Sequence, residues 1–186
     1  MTVHHSPADC APAALHFWFD EVGKDRWFAK SPELDSVIER RFGALRDFVL
    51  ASQAKAWRDD PHHLLAAIIL LDQFSRNIHR DSAKAFVGDP LALSLTELAL
   101  DRGWDKAMPP ARCQFLLMPL MHSERLADQE RSLIEFERLG DAYVLHFARM
   151  HHDQIKRFGR FPGRNAALGR RSSEAEQAVT EEGGVF

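Results

Sequence analysis

Residues 67–77 read AIILLDQFSRN, and the reading of its polar half decides the architecture. The aliphatic residues close an apolar run from Leu64 to Leu71, and Asp72, Gln73, Ser75, Arg76 and Asn77 follow within six positions. On a helical wheel of about 100° per residue, Asp72, Arg76, Arg80, Gln73 and Asn77 occupy one contiguous arc of about 140°. Asp72 stands four residues before Arg76, acid first, the order that favours an intrahelical pair. Taken alone, such an arc marks a helix leaving a core for water. Taken as one wall of a polar cavity, it offers an acid, a guanidinium and two amides to orient a ligand.

Outward from this stretch the punctuation is helical. Ser31-Pro32-Glu33 is an N-cap, a first-turn proline and an early acid, followed by apolar residues at helical spacing from Leu34 to Val49. Asp60-Pro61 and Asp89-Pro90 repeat the start signal, and Gly103 stops the second of these helices. Pro109-Pro110 opens another helix, which Pro119 is expected to end or kink. Ser123 is predicted to cap a helix ending at Gly140, and Asp141 one ending near Gly159. Ser173 with Glu176 forms a capping-box pattern for a last short helix. Period-two alternation and Asn-Gly or Asp-Gly hairpin turns are missing. The expected fold is all-α, with about eight helices in antiparallel pairs.

The chain has 186 residues, which suits a single domain (1–186) with a core over about 14–180 and flexible ends at 1–10 and 181–186. A net charge of −3 gives no overall pull toward nucleic acid or an anionic membrane. The eight-residue run Leu64–Leu71 is too short to span a bilayer, and the N-terminus shows no signal-peptide pattern. Cys10 and Cys113 are too few for a disulfide framework, so a reduced, cytoplasmic protein is expected.

Three further features carry chemistry. In MPLMHSE (118–124), His122 and Glu124 are placed at a helix N-terminus, where unpaired N–H groups suit an anion and lower a histidine pKa. In the next helix Gln129 shares a face with Leu133 and Phe136, so it points inward and needs a partner. His151 sits in the centre of an apolar stripe formed by Val144, Phe147, Ala148, Ile155 and Phe158, the usual place of a satisfied core histidine. Lys156, Arg157, Arg160, Arg164, Arg170 and Arg171 then follow with no acid between Gln154 and Ser173. Arginines here cap carbonyls and tie loops down, or they form a local anion site. Metal-ligand spacings, the nucleophile elbow and phosphate-cradling glycine loops are absent, so neither metal nor cofactor is expected. Two phenylalanines among the arginines are too few to predict RNA binding.

Taken together, LLDQFSRN, MPLMHSE, RFGRFPGRN and LGRRSSEAE, with FWF near the start, resemble the bacterial family known as domain of unknown function 924, over about residues 14–180. The resemblance implies a tetratricopeptide-like superhelix of helix pairs, set against an irregular bundle, and no established activity. It marks Asp72, Gln73, Arg76, Asn77, His122, Ser123, Glu124, His151, Arg157, Arg160, Arg164 and Asn165. This chain departs from the family pattern at Ser75, where proline is usual, and at Gly163, where histidine is common. Ser75 is expected to let its helix continue unkinked.

The leading expectation is a protein that binds a small anionic molecule or an acidic peptide. Arg76 with Arg157 or Arg160 supplies charge, and His122, Asn77 and Gln73 supply orienting hydrogen bonds. The rival is a cofactor-independent hydrolase or proton-transfer enzyme using His122 or His151 with Glu124 or Asp72. The third is a buried polar network that only holds together a protein-interaction scaffold. Homo-oligomerisation stays open.

Overall fold

The computed structural model describes residues 6–183 and 186, and every described element is helical. The expectation of flexible ends falls partly outside these residues, at 1–5, 184 and 185. Within them, Pro7–Cys10 form the start of helix α1 (Pro7–His16) and Glu181 ends α9 (Glu174–Glu181). The chain falls into two compact units, one running through Arg80 and including Lys84–Ala107, the other including Met108 onward.

In unit 1, α2 (Pro32–Ala51) starts as expected, with the Ser31 hydroxyl accepting from Leu34 N–H at 3.2 Å. Asp60 likewise caps α3 (Pro61–Ile68) by accepting from His62 and His63 N–H at 2.8 and 2.9 Å. That helix does not continue as a regular α-helix. Ile69–Phe74 is a π-helical turn, which passes into α4 (Ser75–Ile78). A π turn holds more residues than an α turn, so a uniform wheel misplaces every side chain beyond it. Leu64 through Phe74 are buried in an unbroken run, Asp72 and Gln73 included. Phe74 meets Phe17 and Phe42 at ring-centroid distances of 5.9 and 5.1 Å and Trp18 at 5.4 Å, which fixes the π turn against α2 and the π-helical segment Phe17–Val22 that follows α1.

Helix α5 (Asp89–Asp101) begins where Gly88 passes close to the π turn. A Cβ on Gly88 would lie 2.6 Å from the Leu71 carbonyl oxygen, so only glycine allows this approach.

Unit 2 contains α6 (Pro110–Met121), α7 (Leu126–Leu139), α8 (Ala142–Phe158) and α9. Consecutive helices pack on one another, α6 on α7 and α7 on α8. Pro119 does not end α6, which runs two residues further and is buried from Cys113 to Met121. Burial among apolar neighbours holds the last turn despite the missing N–H. Gly140 in the left-handed region (φ 79°) stops α7, and Asp141 caps α8 two residues before Tyr143. Ser123 is not the cap of α7. The helix starts at Leu126, and the Ser123 hydroxyl donates to Asp128 instead. His122 is therefore the C-terminal cap of α6, and the helix N-terminus expected to act on it lies elsewhere. Ser173 and Glu176 form the expected capping box at the start of α9.

Candidate functional site

The candidate residues form two polar clusters, one in each unit. In unit 1 the polar half of residues 67–77 is interior, with Asp72 only 1% exposed. Burying a carboxylate requires compensation. Arg76 supplies it at 2.9 Å from Asp72, and the Gln73 amide donates to the same carboxylate. Arg76 also donates to both oxygens of Asp89, each at 2.9 Å, and to the Asp72 carbonyl at 2.8 Å. Two carboxylates thus meet one guanidinium, which ties the π turn to α5. Asn77 donates to Asp35 at 2.8 Å, and Arg80, two residues beyond the end of α4, pairs with the same carboxylate. Ser75 is fully buried and accepts from Arg46 Nε at 2.9 Å, while its hydroxyl reaches the Leu70 carbonyl at 3.4 Å. Ser75 is therefore an anchor for a buried arginine.

In unit 2 the organising residue is Glu124. Arg170 donates to both of its oxygens, at 2.8 and 2.9 Å, and Phe161 N–H donates at 2.8 Å. Arg170 also donates to the Phe161 carbonyl at 3.1 Å. Burial alone would raise the Glu124 carboxyl, but Arg170 and the Phe161 N–H outweigh it and hold the group below the usual range. With both oxygens so engaged, Glu124 orients a loop rather than a histidine.

Arg164 is buried, donates to the His122 carbonyl at 3.0 Å and lies 4.3 Å over the Phe161 ring. Arg160 makes a two-point contact with Glu176 at 2.6 and 2.8 Å and also donates to the Arg171 carbonyl. Arg160, then the Ser173 N–H, holds the Glu176 carboxyl far below its ordinary value. Asn165 is buried and donates to Ser172 at 3.0 Å. Arg157 is exposed and lies over its neighbour Phe158.

His151 is buried, as its stripe implied, and its Nδ1–H donates to the Phe147 carbonyl at 2.8 Å. In the neutral ring this places the lone pair on Nε2. The His122 ring lies 5.9 Å from it and the Phe161 ring 5.4 Å. Gln129 points inward as expected, donating to the Met121 and Ser123 carbonyls at 2.7 and 2.6 Å.

Sequence reasoning missed Asp35, Asp89 and Arg46. Arg46 had a signal: it falls with Phe42, Leu45 and Val49 on the buried stripe of α2. A separate hollow of about 230 Å³ in unit 1 has Arg26, Arg41, Glu21 and Glu33 around Phe17 and Leu34, and contains none of the candidate residues. No group of three or more potential metal ligands occurs among the described residues. No helix among them is long and apolar enough to cross a membrane.

Comparison with known proteins agrees with the sequence motifs. Residues 14–184 match the family profile described as bacterial protein of unknown function (DUF924). A solved structure of a protein of unknown function from Agrobacterium tumefaciens is 33% identical and superposes with a TM-score of 0.88. The likeness covers 94% of this chain and 98% of that one. No curated protein matches.

Proposed function

We propose that this chain, which belongs to the bacterial DUF924 family, binds a small anionic ligand or an acidic peptide segment on the basic stretch of unit 2. The observation that supports this is a surplus of positive charge on the last turn of α8 and the loop that follows it. Of the six cations from Lys156 to Arg171, Glu124 and Glu176 engage Arg170 and Arg160, and both pairs shape the loop. Lys156, Arg157 and Arg171 face solvent. Solvent-facing guanidinium groups whose neighbours already neutralise the local acids leave donors that suit carboxylate or phosphate.

Arg76 takes a different role in this reading. Two aspartates give its surroundings an excess of negative charge, so it positions α5 rather than capturing an anion. Titration with inorganic phosphate and with pentaglutamate tests the assignment. Binding should survive Arg76→Ala and weaken on joint replacement of Arg157 and Arg171; the reverse pattern would return the site to unit 1.

A further inference from the structure

The His151 ring has Phe161 at 5.4 Å and His122 at 5.9 Å as ring neighbours, both of unit 2. One face of the ring is covered by a ring from the far end of the chain. Phe186 stacks on it with centroids 3.6 Å apart and planes inclined by 21°, and meets Phe147 edge-on at 6.3 Å. The element before Phe186 is α9, whose first turn is fixed by the Ser173–Glu176 capping box and by Arg160. The Arg160–Glu176 pair thus anchors α9 in the unit that holds His151. What holds Phe186 to His151 is ring contact, which is non-covalent and replaceable by another aromatic side chain.

The residues leading to Phe186 include Glu181 and Glu182, an acidic pair ahead of an aromatic ring. This is the kind of segment that the surplus cations of unit 2 would attract. We propose that the face of His151 is a docking site for an aromatic side chain, held in this structure by the chain's own Phe186, and that an acidic peptide carrying an aromatic residue binds by displacing it. The docking of Phe186 stands on the ring geometry, whereas the acidic character of the incoming peptide rests on the basic-stretch reading above.

The test is NMR of the His151 ring protons, assigned by their loss in His151→Gln. Stacking beneath Phe186 should move them upfield in the wild type. Phe186→Ala should abolish that shift, Phe186→Trp should keep it, and far-UV circular dichroism should be unchanged in both. Adding the peptide TEEGGVF to Phe186→Ala should restore the shift saturably, and TEEGGVA should not. Ring protons unaltered by Phe186→Ala would overturn the docking, and failure of TEEGGVF to restore the shift would overturn its exchange. Binding of TEEGGVA without a ring shift reads the basic stretch alone, so failure of docking and failure of anion binding are told apart.

Discussion

Glu124 and Arg170, 46 positions apart, together hold both backbone groups of one residue. The Phe161 N–H donates to the Glu124 carboxylate and the Phe161 carbonyl accepts from Arg170, so the ion pair brackets a single residue. That bracket fixes the fully buried Phe161 ring against His151. It turns two charged residues into loop-shaping parts.

Glu124→Ala should therefore loosen the loop and leave a part-buried guanidinium and an N–H without their acceptor. A loss of about 1–3 kcal/mol is expected in urea denaturation, because Glu124 and Arg170 are both partly solvated and an unsatisfied partner dominates the cost. A change below about 0.5 kcal/mol, the level of an ordinary surface substitution, would contradict the bracket.

Arg76→Ala should cost more, about 3–5 kcal/mol, since it leaves the buried Asp72 carboxylate facing Asp89 without a cation. Joint replacement of Asp72 and Arg76 by apolar residues should recover part of this loss. A joint loss equal to the sum of the two single losses would show that the pair is not coupled.

Gly88→Ala tests the contact with the π turn. A methyl group there meets the Leu71 carbonyl oxygen at 2.6 Å, so backbone must shift, at a cost of about 1–3 kcal/mol. Gly140, which has open space around its Cβ position, serves as a contrast. Its cost on substitution comes from its φ of 79° alone.

Glu176 gives the stability of unit 2 a pH dependence. Arg160 and the Ser173 N–H depress its folded-state value, so it stays ionised when folded at a pH where the unfolded chain already takes up a proton. Its contribution is complete above the unfolded carboxylate value of about 4.3 and is lost as pH falls below it. Hydrogen exchange of α9 amides should rise as pH drops through this range after correction for intrinsic rates. Glu176→Gln should flatten that dependence.

What the sequence made legible was mostly local. Ser31, Asp60 and Asp141 cap helices because the partner N–H groups lie two or three residues away, and Gly140 and Gly159 stop helices by their own backbone freedom. The Asp72–Arg76 pair follows from four-residue spacing. Pairs such as Arg80–Asp35 and Arg170–Glu124 join elements more than forty positions apart, and helical periodicity does not say which elements meet. The π turn at Ile69–Phe74 had no sign in residue pattern, since its aliphatic residues suit an α-helix equally. A uniform wheel put the polar residues on one arc that suited either water or a polar interior, and the structure has Asp72, Gln73 and Asn77 interior.

The most direct test of anion binding is calorimetric titration of pentaglutamate into the wild type and into the joint Arg157→Ala, Arg171→Ala variant, each at low and at physiological salt. Saturable binding to the wild type that weakens with salt is expected, with a further loss of about 2- to 5-fold per arginine removed. Absence of binding to the wild type at low salt, or identical affinity in the variant, would contradict the assignment of unit 2's basic stretch as an anion site.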